Sequence, residues 1–139
     1  MTQRNIHGGH EFHFEGNLLV ARSWGSWNLE AVRLYAGQWR EALLKQDLTS
    51  WGACIDCVDW KLATPEAWDE NMAFASWICD NGCCFLGITY SKEFIKLLSS
   101  KDIKQASSNS DMVFATFEKH NECYSWCQHQ ANALDLGTL

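Results

Sequence analysis

Polar and aromatic residues alternate with period two near the start of the chain, and this pattern predicts a β-hairpin. Residues 10–15 alternate, Gly16-Asn17 suits a two-residue turn, and residues 18–24 form the returning strand. Such a turn fixes the register as four opposed pairs: Phe14 with Leu19, Phe12 with Ala21, His13 with Val20 and Glu11 with Arg22. One face of the hairpin is then apolar and the other carries an ion pair.

Apolar residues recur at steps of three and four in later stretches and form short continuous runs between them. Helices are predicted at residues 28–46, 65–80 and 121–134, with a shorter fourth helix after Ser91. Buried strands are predicted at residues 52–58, 83–89 and 112–117, and a polar loop at 101–111. This alternation favours an α/β fold with a mixed, mostly parallel sheet, an N-terminal β-hairpin and about four helices.

The second helix has the clearest start signal in the chain. The Thr64 hydroxyl can accept a hydrogen bond from the first helical turn, and Pro65 has the backbone angle suited to the first helical position. Glu66 places negative charge at the positive end of the helix. We therefore predict that Thr64 is an N-cap.

Composition and charge narrow the classes of function. The chain has 139 residues, of which 47% are hydrophobic and 20% charged, and this fits one folded domain over residues 1–139 with flexible ends at 1–9 and 135–139. The net charge of −6 disfavours nucleic-acid binding. No apolar run reaches the length of a membrane span, and residues 1–9 lack the apolar core of a signal peptide. We expect a cytoplasmic protein whose seven cysteines are reduced.

The chain resembles the STAS fold in its element order, in its length and in the passage from a central strand into a helix. That strand is Cys54-Ile55-Asp56-Cys57-Val58, Asp59-Trp60 follows it, and the helix begins at Thr64-Pro65-Glu66. Within the STAS fold, the chain is similar to the small stand-alone SpoIIAA-like proteins. In regulatory members, an Asp-Ser-Ser/Thr-Gly segment after this strand carries a phosphorylated hydroxyl. Here Asp59 matches the aspartate, no Ser or Gly follows it, and Thr64 is the one candidate for phosphorylation. The resemblance implies a non-enzymatic binding or regulatory module.

In an open parallel sheet, ligands bind beyond the carboxyl ends of the strands. The predicted order sends aromatic side chains, helix caps and Asp59 to that edge. The candidate binding residues are Trp24, Trp27, Asp59, Trp60, Thr64, Tyr90 and Ser91. They suit a pocket for a small apolar, lipid-like or anionic ligand, or a patch for a protein partner. The alternative interpretation is that the tryptophans close the ends of the core.

Two other functions stay open at this point. A small enzyme could use Ser91, His120 or a cysteine at the same loops, although no nucleophile elbow, phosphate loop or dinucleotide motif is present. We therefore assign no catalytic residue and no cofactor. A structural homodimer that buries surplus aromatic residues is the second alternative.

The cysteines raise the question of a metal site. Cys54 and Cys57 are three apart on a strand and point to opposite faces, so one ion cannot bind both. Cys123 and Cys127 share a helical face and could bind a metal if Cys83 or Cys84 lay opposite. Packing in the core is favoured for all of them, and no metal is predicted.

Overall fold

Six strands form one sheet that lies between two layers of helices. The protein is described by a computed structural model over residues 8–93 and 112–136. In chain order its elements are β1 (Gly9–Glu15), β2 (Leu18–Trp27), α1 (Leu29–Gln46), β3 (Trp51–Cys57), β4 (Trp60–Ala63), α2 (Pro65–Asp80), β5 (Cys83–Tyr90), β6 (Val113–Phe117) and α3 (His120–Asp135). The sheet order is β1-β2-β3-β5-β6, and β4 pairs with β2 beside this path. All pairs except the hairpin are parallel, which confirms the predicted α/β fold.

The N-terminal hairpin has the predicted register. Phe14 lies opposite Leu19 and Phe12 opposite Ala21, while Glu11 lies opposite Arg22. The ion pair of Arg22 is nevertheless with Asp59 and not with Glu11 as the sequence predicted. Gly16 adopts a φ of 62° in the turn, a conformation that glycine reaches without steric cost. The alternation therefore determines which side chains of β1 and β2 face each helical layer.

Both helices on one face of the sheet begin at a side-chain cap, and that of α2 is the predicted Thr64. The Asn28 side chain accepts a hydrogen bond of 3.1 Å from the Ala31 N–H at the start of α1. Thr64 Oγ1 accepts one of 3.2 Å from the Ala67 N–H, and Pro65 is the first residue of α2. These caps fix where each helix leaves the sheet.

One strand was not predicted. The sequence predicted that the second strand ends at residue 24 and that a loop at residues 59–61 follows the third strand, but β2 continues to Trp27, and Trp60 and Lys61 belong to β4. The far end of β2 pairs with β4, with Gly25 opposite Trp60 and Trp27 opposite Ala63. The Gly25 N–H also donates to the Asp59 carbonyl over 3.0 Å. A strand of four residues is too short for a recognisable alternation, so tertiary pairing decides it.

The helix count differs from the predicted one. The described residues contain three complete helices, and Lys92 and Glu93, directly after Ser91, are also helical. Most of the predicted fourth helix, and the predicted loop at 101–111, lie outside the described residues. Within the described ranges, no helix is long and apolar enough to cross a membrane.

Two separate cores flank the sheet. On one face, α1 and α2 cover residues such as Leu19, Ala53 and Leu86. On the other face, α3 covers Cys54 and Phe85. Alternation along β3 thus sends Cys54 and Cys57 to opposite faces, as the sequence predicted.

Candidate functional site

A cavity of about 130 Å³ lies between α1, α2 and the sheet. Its walls are mostly apolar and rich in aromatic side chains. The ring-bearing residues that line it are His10, Trp27, Tyr35, Trp39, Trp60, Trp68, Phe74, Tyr90 and Phe114. Tyr35, Trp68 and Asn71 are half-buried, so the cavity reaches the surface beside them. Among the described residues, no Lys, Arg, Asp or Glu side chain lines it.

The aromatic rings contact one another around the cavity. The Trp27 ring centroid lies 4.9 Å from that of Tyr35 and 6.3 Å from that of Trp60. Trp60 in turn lies 6.1 Å from Trp68. Aromatic pairs at these separations and tilts are favourable beyond their buried area. The wall is therefore built from side chains that support each other.

His10 is a polar residue of the cavity lining. Its ring stacks on Tyr35 at 4.8 Å, and its Nε2 accepts a hydrogen bond of 2.9 Å from the Trp39 indole N–H. Burial lowers the pKa of His10 from 6.5 to about 4, so the imidazole is neutral at pH 7. Because Nε2 accepts, the proton of the neutral ring is on Nδ1. That Nδ1 is buried and has no hydrogen-bond partner among the described residues.

The other titratable groups of the lining are also neutral. Burial, reinforced by the nearby Asp56 charge, raises the pKa of the Cys57 thiol. Burial likewise raises the pKa of the Tyr90 hydroxyl, with a smaller contribution from Cys57. The interior is thus an uncharged space in which a hydrogen bond from His10 would be well shielded from water.

The structure brings three of the seven predicted site residues together. Trp27, Trp60 and Tyr90 line the cavity, each with only 8% of its surface exposed. All three lie on strands rather than in the expected loops. These three side chains therefore pack in the hydrophobic core and also line the cavity.

The other four predicted site residues, Trp24, Asp59, Thr64 and Ser91, do not line the cavity. Asp59 is exposed and forms an ion pair of 3.0 Å with Arg22, whose guanidinium lies 4.9 Å above the Trp24 ring. Thr64 caps α2. Ser91 follows β5 and is half-buried.

Sequence reasoning missed several residues of the site, above all His10 and Trp39. One signal was available: His10 shares its strand face with Phe12 and Phe14, so a polar ring had to point toward the core. The contact between His10 and Trp39 depends on how α1 crosses β1, and residue spacing does not contain that information.

A second, polar groove of about 360 Å³ lies on the opposite face of the hairpin. It is lined by Glu11, Phe12, His13, Val20, Ala21, Arg22, Asp56 and His120. His120 Nδ1 is 3.5 Å from Thr89 Oγ1 and 4.0 Å from Asp56 Oδ2. His120, the histidine of the enzyme hypothesis, therefore lies in this groove and not in the aromatic cavity.

The comparison with solved structures supports the fold. An uncharacterised DUF3478-family protein with a SpoIIAA-like fold from Shewanella loihica PV-4 aligns with a TM-score of 0.66. The alignment covers 88% of this chain and 94% of that chain at 12% sequence identity. No family model and no curated protein matches the sequence. The chain has a SpoIIAA-like fold.

Proposed function

We propose that the protein is a STAS-type binding module that takes up a small, uncharged, mainly aromatic molecule in the cavity between α1, α2 and the sheet. The observation that carries this proposal is the Nδ1–H donor of His10, a residue of the uncharged, aromatic-rich lining, which is buried and has no partner among the described residues. Buried polar groups in proteins are nearly always paired, so a ligand acceptor would complete this site.

The chemistry of the lining favours a neutral ligand over an anion. An anionic head group would need a compensating cation, and no Lys or Arg side chain lines the cavity in the described part of the chain. A neutral histidine offers a single donor instead. An aromatic molecule with a carbonyl or ether oxygen meets these requirements. The cavity volume is sufficient for one aromatic ring, because a cavity of similar volume in another protein binds benzene.

Burial favours a ligand cavity over a protein-binding patch. Of the three tryptophans that would serve as interface anchors, Trp27 and Trp60 are each 8% exposed, and Trp24 is half-buried. In the part of the chain that the structure describes, the exposed large hydrophobic side chains are separate in sequence: Leu34, Leu44, Val58, Val113 and Leu136. A protein partner, a homodimer and a cytoplasmic location remain predictions from the sequence.

A matched pair of small probes tests the proposal. Acetophenone and α-methylstyrene have the same number of non-hydrogen atoms and nearly the same planar shape, and only acetophenone carries a carbonyl acceptor. We expect both to bind in ¹H–¹⁵N NMR titrations at pH 7. Acetophenone should bind about 2- to 12-fold more tightly, the contribution of one net hydrogen bond. The signal of His10 Nδ1–H should shift with acetophenone alone.

Two substitutions on α2 locate the binding site. Ala75→Leu places a larger side chain in the lining and should weaken both probes, whereas Ala73→Leu lies on the exposed face of the same helix and should leave both affinities unchanged. His10→Phe should abolish the preference for acetophenone. Equal affinity of the wild type for both probes, or equal effects of the two alanine substitutions, would refute the proposal.

A further inference from the structure

Three cysteine sulfurs meet on the face of the sheet opposite the aromatic cavity. Cys54 projects from β3, and Cys123 and Cys127 lie one turn apart on α3. All three side chains are 0% exposed, and their sulfur atoms lie within 4.8 Å of one another. The distance between the sulfurs of Cys54 and Cys123 is 3.8 Å. The residue opposite the helical pair is thus Cys54, not Cys83 or Cys84 as the sequence suggested.

We propose that these three thiolates bind one Cu(I) ion in three-coordinate geometry. Metal–thiolate bonds are about 2.3 Å long, so three sulfurs around one ion in a plane lie about 4 Å from each other. The observed separations already match this requirement. The ion would fit with small rotations of the side chains and without movement of the backbone.

Gly87 on β5 makes the approach of the sulfurs possible. A Cβ atom at this position would lie 2.6 Å from the Cys127 sulfur and 3.1 Å from the Cys123 sulfur. Any other residue would push α3 or its thiols away from the sheet. The three cysteines and Gly87 therefore act together to form a compact sulfur site.

The donor set favours Cu(I) over Zn(II). Structural zinc sites use four ligands, and in the described residues no fourth His, Cys, Asp or Glu joins this group. Soft thiolate ligands select Cu(I), which is stable with three sulfur ligands. The cluster is fully buried, which would protect the bound ion from water and oxidants.

Nearby groups can offset the negative charge of a copper–thiolate complex. Cys123 lies close to the N-terminus of α3, where unpaired N–H groups give a partial positive charge. His120 interacts electrostatically with Cys123, and the buried Thr89 hydroxyl hydrogen-bonds to it. On binding, the thiols release their protons to the buffer and copper remains Cu(I), so no electron donor or acceptor is required.

The test is an anaerobic titration of the reduced full chain with Cu(I) in competition with the chelator bathocuproine disulfonate. We expect one copper ion per chain, with three sulfur ligands in the copper X-ray absorption spectrum. Cys54→Ser, Cys123→Ser and Cys127→Ser should each lower the affinity by more than about 100-fold, since even loss of a supporting group costs 10- to 100-fold. Cys79→Ser, on α2 at the other face, is the matched control and should retain the affinity of the wild type.

The copper X-ray absorption spectrum is recorded on the wild-type protein. The test therefore remains valid even if a serine variant does not fold. Two sulfur ligands with a nitrogen or oxygen, no copper binding, or tight Zn²⁺ binding without competitive Cu(I) binding would each overturn the proposal. The result is independent of the aromatic cavity. Ala75→Leu should not change copper affinity, and failure of the aromatic probes to bind would leave the copper result unaffected.

Discussion

The Trp39 indole N–H donates a hydrogen bond of 2.9 Å to Nε2 of His10 and so joins α1 to the edge strand β1. Trp39 is 3% exposed, and its ring also lies 5.8 Å from the His10 ring. This bond fixes the tautomer of His10, because the nitrogen that accepts carries no proton. The Nδ1–H donor of His10, which has no partner among the described residues, is therefore a consequence of the position of a tryptophan on a different element.

Trp39→Phe should destabilise the protein by about 2–3 kcal/mol. The substitution leaves His10 Nε2 without a donor and removes part of a buried ring. Urea denaturation measures the change in the free energy of unfolding. Trp77→Phe is the control, because Trp77 is half-buried on α2 and should cost less. Equal losses in the two variants would show that the hydrogen bond to His10 contributes nothing.

Stability should fall as the pH decreases from about 6.5 to 4. The pKa of His10 is about 4 in the folded protein and 6.5 when unperturbed. In this window the unfolded chain binds a proton that the folded chain does not, so acid favours unfolding. The contribution of His10 is on the order of 2–3 kcal/mol. His10→Phe should remove this part of the pH dependence, and unfolding curves that keep the same slope in the variant would contradict the prediction.

The Tyr124 hydroxyl donates a hydrogen bond to the Glu15 carboxylate and so ties α3 to β1. This bond, together with one from His13, lowers the pKa of Glu15 below its usual 4.5. Tyr124→Phe should cost less than about 1 kcal/mol near neutral pH, because the site is exposed. The hydrogen bond to Glu15 stabilises the protein fully at pH values above the pKa of Glu15 in the unfolded chain. This stabilisation is lost as the pH falls through the lower pKa of Glu15 in the folded protein. The difference between wild type and variant should therefore vanish in acid, as chemical denaturation at several pH values can show.

The sequence predicted those elements whose signals are local. The period of two and the Gly16-Asn17 turn give the register of Phe14 with Leu19, and Thr64-Pro65 gives the start of α2. Short-range spacing was also sufficient to separate Cys54 from Cys57. In each case the physical cause acts over a few residues, and the pattern therefore shows it.

The features that the sequence did not predict depend on contacts between distant segments. β4 exists because residues 60–63 pair with the far end of β2. The cavity depends on where α1 and α2 lie above the sheet, and the sulfur cluster depends on α3 crossing Cys54. Spacing identified Cys123 and Cys127 as a helical pair, but it gave no information about which strand that helix covers.

Two glycine-to-alanine substitutions should have effects of opposite sign. A Cβ on Gly52 of β3 would lie 2.1–2.3 Å from ring atoms of Phe85, which is 0% exposed and has no space to move. Gly52→Ala should cost about 3 kcal/mol from overpacking. Gly37 lies in α1 with no heavy atom within 4 Å of an added Cβ, so Gly37→Ala should stabilise by about 0.5–1 kcal/mol.

Urea denaturation measures the stability of both variants and of the double substitution Gly52→Ala/Phe85→Leu. The double substitution shows whether the loss in Gly52→Ala comes from overpacking against Phe85 or from an intrinsic effect of alanine on the strand. Leucine lacks the ring atoms that an alanine Cβ would contact, so the double variant should be less destabilised than the sum of its single substitutions. Additive losses would show that Phe85 is not the obstacle. A loss at Gly37→Ala would show that α1 is not helical at its centre. The same chemical change thus reports on sheet packing at one position and on helix propensity at the other.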